Sequence, residues 1–232
     1  MFLPDGFKWS ERKKVFFVGA MGTGKTEISI NYAIGWGSFL KDKISLIDFD
    51  MVKPLFRLRS IRNSVTNTSV EVMTPPEPYG YADFPIISPQ MDSRIRDKSA
   101  ITVVDMGGEA NGARMAGRFH GIVSPDEVDF FYVYNGNRPG ADNDADTLST
   151  IDSIRNSAGF PLTGIVHNSH LMGESSEDTL LSHMDRARVI SEMSGIPISF
   201  HCIREDLYSS VSKKTPEQIL PLKIYNTPEW LQ

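Results

Sequence analysis

The residues Gly19-Ala20-Met21-Gly22-Thr23-Gly24-Lys25-Thr26 carry the spacing G-x-x-x-x-G-K-[ST]. Each residue type answers to a demand of phosphate chemistry. Glycines let the backbone curl so that successive N–H groups converge on one anion. The helix that follows offers its positive end to the same charge. Lys25 has the reach for β- and γ-phosphates, and the Thr26 hydroxyl is a ligand for Mg²⁺. From average residue frequencies, a chance match in a chain this long is on the order of one in a hundred. The competing reading is a glycine-rich strand-to-helix turn with an incidental lysine. The motif specifies a nucleoside triphosphate with Mg²⁺ and leaves the reaction open.

Two acidic phrases complete such a site. "LIDFD" sets Asp48 and Asp50 at the end of an apolar run, two residues apart and so on one side of a strand. "ITVVDMGG" sets Asp105 at another strand end, ahead of Gly107 and Gly108. An acid in that position beside a phosphate loop suits a Walker-B-type contact to Mg²⁺. The plainer alternative is that these acids cap strands or the next helix.

The surrounding pattern is what positions them. "KKVFFVGA" reads as a buried strand ended by Gly19, and residues 26–40 read as a helix burying Ile28, Ile30, Tyr32, Ala33 and Ile34. Further strands are expected at "KISLIDFD", "TSVEVMTP", "AITVVDMGG", "VDFFYVYN", "LTGIVHN" and "IPISFHCI", the last clear one. Helices are expected at "PLFRLRSIRNSV", at residues 109–119 and 142–156, and at "SSEDTLLSHMDRARVISEMSG", where Gly195 is the stop signal. The segment between Pro75 and Pro89 (residues 75–89) is too rich in proline for a helix or a central strand and reads as an irregular loop, a lid or partner-binding loop being the functional alternative. Strands alternating with helices predict an α/β three-layer sandwich with a mostly parallel sheet, in one nucleotide-binding domain over residues 1–232.

Composition closes off other classes. A formal charge of −5 argues against non-specific nucleic-acid binding. One cysteine, Cys202, excludes an internal disulfide and paired-cysteine metal sites. No run has the length of a membrane span or a signal sequence, so the expectation is a cytoplasmic protein without membrane association. "DNDAD", residues 142–146, lacks the glycine and glutamate of a calcium loop. His167 and His170 flank Asn168 without a third metal ligand. Lys53, Arg57, Arg59 and Arg62 form a local basic cluster, either a solvated helix face or a contact for an acidic partner. Small residues four apart, Gly112 with Ala116 and Ala113 with Gly117, allow close packing, with the core as the favoured location.

"GAMGTGKT", "LIDFD", "VVDMGG" and "GIVHN", in that order, resemble the MinD/ParA/CobB-like ATPases of the SIMIBI class of P-loop proteins, over roughly residues 13–206. The resemblance implies that ATP or ADP with Mg²⁺ is bound by Gly19, Gly22, Thr23, Gly24, Lys25 and Thr26. It implies that Asp48 holds the Mg²⁺ shell, that Asp50 orients the attacking water, that Asp105 is the Walker B acid and that Asn168 reads adenine. "CIREDL", at Arg204 to Asp206, matches the loop that closes over the base. Many members carry a further lysine early in the loop that reaches the partner subunit's nucleotide. That position is Ala20, so a homodimer completed by this lysine is not expected. The function expected is a slow, switch-like ATPase. The alternatives are a small-molecule kinase or ligase acting on an acidic substrate near Arg57 and residues 75–89, and a non-hydrolysing ATP sensor. No N/T-K-x-D guanine motif follows a late strand, which disfavours a GTPase.

Overall fold

A computed structural model describes residues 4, 6–49, 65, 68–74, 88–138, 143–169 and 176–225. Among these residues, eight parallel strands form one sheet. They are β1 (Lys14–Gly19), β2 (Ile44–Phe49), β3 (Val70–Met73), β4 (Ile101–Gly108), β5 (Val128–Tyr134), β6 (Gly164–Asn168), β7 (Ile198–Arg204) and β8 (Ile219–Leu222). The helices are α1 (Lys25–Leu40), α2 (Pro89–Arg96), α3 (Glu109–Gly117), α4 (Asp144–Ala158), α5 (Glu177–Ser194) and α6 (Glu205–Val211).

The strand order is β3-β2-β4-β1-β5-β6-β7-β8. The chain leaves β1 toward β2 and β3, then returns through β4 and crosses to β5. This reversal beside β1 opens a crevice beyond the carboxyl ends of the strands, where open parallel sheets bind ligands. The phosphate loop lies in that crevice, between β1 and α1.

Strand alternation divides the apolar side chains between two faces. Phe16, Val18, Val104, Met106, Phe130 and Tyr132 pack into one core with Ala113, Ala116, Ile151, Ile154, Ala187 and Ile190 of α3, α4 and α5. Val15, Phe17, Val103, Phe131 and Val133 pack into the other with Ile28, Tyr32, Ala33 and Trp36 of α1. The three layers expected from sequence are therefore present. The helix α1 is buried on more than its expected side, since Ile28 to Gly37 are all enclosed. Phe7 and Trp9 cover its outer flank, and Trp9 meets Tyr32 edge-on at 5.0 Å.

The structure extends the sequence reading at three places. Residues 89–96 hold a helix where the proline-rich stretch ends. Pro89 occupies the first turn, where its missing N–H costs nothing, and the Ser88 hydroxyl accepts from the Met91 N–H. After "IPISFHCI" come α6 and a further strand, β8, which carries Pro221. Proline is tolerated there because β8 is an edge strand. The expected helix at "PLFRLRSIRNSV", apart from Val65, and residues 75–87 lie outside the described residues. The small residues of α3 serve the core: Ala113 and Ala116 are fully buried, and Gly117 faces the carbonyls of Ser157 and Ala158 on α4.

Gly112 is the tightest of these positions, because a Cβ there would overlap the Gly107 carbonyl in the turn that brings β4 into α3. Gly→Ala in an open helix gains about 1 kcal/mol. Gly112→Ala should instead lower the unfolding free energy by about 2 kcal/mol through overpacking, as read from urea melts. A neutral or stabilised variant would show that this corner yields without cost.

Candidate functional site

The loop after β1 is built by glycine stereochemistry. Gly22 and Gly24 sit at φ 78 and 90, a left-handed region costly for side-chain-bearing residues. Two approaches also leave no room for a Cβ. At Gly19 it would come within 2.6 Å of the Val133 carbonyl oxygen on β5, and at Gly24 it would overlap the Asn168 amide. The loop is thus wedged between the ends of β5 and β6 by two residues without side chains.

Polar contacts fix its shape. Thr23 donates from its hydroxyl to the Ala20 carbonyl at 3.0 Å. Lys25 is buried, and its Nζ donates to the Gly19 and Ala20 carbonyls, each at 2.9 Å. Its charge is thereby held at the centre of the loop. The side chain of Asn168 is also buried and donates from Nδ2 to the Thr23 carbonyl at 2.7 Å. In this conformation Asn168 acts as a strut under the phosphate loop.

The acids expected near Mg²⁺ converge. Asp48 and Asp105 are register partners on adjacent strands β2 and β4. Both project to the face carrying α1, as Leu46 and Val103 do. Asp105 Oδ2 accepts from the Thr26 hydroxyl at 2.6 Å. A hydroxyl and two carboxylates form a hard-oxygen donor set. Mg²⁺ takes one or two carboxylates and completes its octahedron with water and phosphate oxygens, so these three residues fit that ion. Asp50 and the basic cluster of Lys53, Arg57, Arg59 and Arg62 lie outside the described residues, as does His170. Arg114 is on the exposed side of α3 and donates to Asn111. Arg204 donates to Asp206 at the end of β7. Ala20 brings no cation, and Met21 beside it is 54% exposed against the turn at Gly108.

Behind Asn168 is a polar row absent from the sequence expectation. His167 and His201 are fully buried register partners on β6 and β7, with their Nδ1 atoms 2.9 Å apart. The Ser169 hydroxyl contacts His167 Nε2, and His201 Nε2 reaches Glu217 Oε2 at 3.1 Å. Arg188 of α5 grips Glu217 through both carboxylate oxygens. The Asn137 amide, just past β5, donates to the Ser169 carbonyl. Burial, with His201, His183 and Arg188 adding to it, holds the His167 pKa well below the usual value. Burial likewise brings His201 down to about 4, against an opposing pull from Glu217. The signal in the sequence was a histidine inside each of two otherwise apolar strands.

Comparison with known proteins supports the fold. No protein-family model matches the chain, and no curated protein matches its sequence. Solved structures do match. FtsY from Mycoplasma mycoides aligns with a TM-score of 0.56 at 14% identity, over 85% of this chain and 62% of its own. The signal recognition particle receptor FtsY from Elizabethkingia anophelis, in complex with GDP, aligns with a TM-score of 0.51 at 14% identity, over 84% of this chain and 58% of its own. FlhF complexed with GTP and Mg²⁺ aligns with a TM-score of 0.50 at 14% identity, over 86% of this chain and 70% of its own. This chain therefore spans less than two thirds of the two FtsY chains. What this chain shares with these structures is the α/β fold.

Two buried neutral histidines make stability depend on pH. Their folded-state pKa values are depressed, so the unfolded chain binds more protons once the pH drops below the ordinary value of 6.5. Their contribution is full above pH 6.5 and is lost on acidification. For His201, moving from pH 6.5 and above to pH 5 should cost about 2 kcal/mol, measured by urea melts across that window. His201→Phe should flatten the slope, and an unchanged slope in that variant would assign the acid sensitivity to other groups.

Proposed function

We propose that this protein binds a nucleoside triphosphate with Mg²⁺, favours ATP, and hydrolyses it slowly as a nucleotide-dependent switch. The observation that carries this reading is the 2.6 Å contact between Thr26 and Asp105, the loop hydroxyl and the strand-end acid that would share a Mg²⁺ shell, made beside a buried Lys25.

In this reading Lys25 exchanges its two carbonyl acceptors for β- and γ-phosphate oxygens, while the loop N–H groups and the start of α1 surround the anion. Thr26, Asp48 and Asp105 hold the Mg²⁺, which supplies charge neutralisation on the phosphates when bound. Asp50 is assigned to orienting the attacking water. Asn168 first shapes the loop through Thr23 and faces the base from the end of β6. No cation at positions 20 or 21 is offered across a dimer. A stabilising arginine or lysine of that kind is worth about 10³–10⁵ in rate, so turnover without one is slow. The basic segment after Asp50 is the place assigned to a protein partner or an acidic substrate.

GTP is the second reading. It is favoured by the FlhF and FtsY structures, solved with GTP and with GDP. Against it stands the sequence at the end of β6, Asn168-Ser169-His170, which lacks the lysine and aspartate of a guanine motif.

Titration calorimetry with Mg-ATP and Mg-GTP separates the two. ATP should bind more tightly, and Lys25→Ala should weaken either nucleotide about tenfold or more, since each charge-assisted bond is worth about 1.5–3 kcal/mol. Asp50→Ala should abolish turnover with binding kept. Tighter GTP binding would replace the ATP reading, and a Lys25→Ala variant with unchanged affinity would remove both.

A further inference from the structure

Ser169, His167, His201, Glu217 and Arg188 form a continuous polar chain from the end of β6 to the surface of α5. It lies in a sheet whose other interior contacts are mostly apolar. Its order of protons can be worked out from one end. Glu217 is held below the usual carboxylate range: burial pushes it up, but hydrogen bonding to Arg188, the charge of that guanidinium and a hydrogen bond from Thr215 pull it down. An ionised carboxylate only accepts. His201 Nε2 lies 3.1 Å from Glu217 Oε2 outside hydrogen-bond geometry, and a proton on this nitrogen avoids setting its lone pair against those of the carboxylate. With Nε2 protonated and the ring neutral, His201 Nδ1 is an acceptor. His167 Nδ1 must then donate across the 2.9 Å gap, which leaves His167 Nε2 to accept from the Ser169 hydroxyl. Every proton points toward Glu217.

The two faces of β6 give this order a consequence. His167 projects to the α5 face with Ile165, whereas Asn168 projects with Val166 to the face of α1 and the phosphate loop. The relay grips the strand end from one side while Asn168 supports Thr23 from the other. Ser169 is gripped twice, by His167 through its hydroxyl and by Asn137 through its carbonyl. We propose that His167 is a positioning residue of the nucleotide site: Glu217, acting through His201, sets its tautomer, and in that tautomer it fixes the end of β6 from which Asn168 shapes the phosphate loop. This rests on the nucleotide-binding reading above. The groups that face the histidines are Tyr134 of β5, His183, Arg186 and Arg188 of α5, and Glu217 ahead of β8. Protonation of His201, depressed to about 4, would place donors on both of its nitrogens and break the relay.

Nitrogen-15 NMR of the imidazoles in the unmodified protein tests the proton order directly. The expected result is His167 protonated at Nδ1 and His201 at Nε2, and His167 protonated at Nε2 would overturn the proposal. Positioning is tested in Glu217→Ala and Glu217→Gln, at a partly exposed residue outside the loop. Glu217→Ala should weaken Mg-nucleotide binding about fivefold, the scale on which remote residues modulate a site. Glu217→Gln retains an acceptor oxygen and should recover most of that affinity and keep the His167 tautomer. Unchanged affinity in Glu217→Ala refutes positioning. So does a loss that tracks the fall in unfolding midpoint and is not recovered by glutamine. If the unmodified protein binds neither ATP nor GTP, the nucleotide reading fails, and the tautomer measurement still decides the relay.

Discussion

Close backbone approach at Gly24 is the constraint on which the site depends. The residue stands at φ 90, at the head of α1, with the Asn168 amide packed where a side chain would begin. From that position follow the hydrogen bond of Asn168 to Thr23, the inward course of Lys25 and the placement of Thr26 against Asp105. An L side chain at Gly24 would push α1 away from β6 and part the loop from its support. The phosphate loop is therefore a joint between three strands and a helix as much as a ligand cradle.

Charge is arranged around this joint with opposite signs on opposite flanks. Lys25 is buried among carbonyl oxygens, while Asp48 and Asp105 are buried side by side on β2 and β4. Like charges in neighbouring register positions repel, and a divalent cation at the Thr26 hydroxyl would relieve that repulsion. In the function proposed above, the same arrangement would give phosphate and metal complementary places, with the anion at the loop and the cation at the paired acids.

The far side of the sheet is built differently. The row Tyr134, His167 and His201 occupies positions on β5, β6 and β7 that parallel sheets usually fill with aliphatic side chains. Buried polar groups are tolerated when each finds a partner, and the chain that ends at Glu217 and Arg188 supplies partners in sequence. Such a row gives little stability over an apolar replacement, but it allows only one arrangement of protons and so holds the strand end in one position. That distinction matters at the end of β6, where a shift of the backbone would be felt at Thr23.

What the sequence determined by itself is the loop motif after β1 and the layered α/β plan. Gly19, Gly22, Gly24, Lys25 and Thr26 are adjacent in the chain, so their roles are local, and Asp48 and Asp105 are marked by apolar runs that end in an acid. The helix stop at Gly195 and the burial of small residues on α3 were legible for the same reason. Proline density obscured the start of α2, and β8 gave no strand signal because it is only four residues long and Pro221 interrupts its apolar run. Only the tertiary structure decided that Asn168 supports Thr23, 145 residues away in the chain, and that His167 and His201 meet. Those contacts depend on strand order and register, which bring β6 between β5 and β7 and beside the loop after β1. Local periodicity records which face a residue takes. It does not record which strand will be its neighbour, and the relay exists only through that choice.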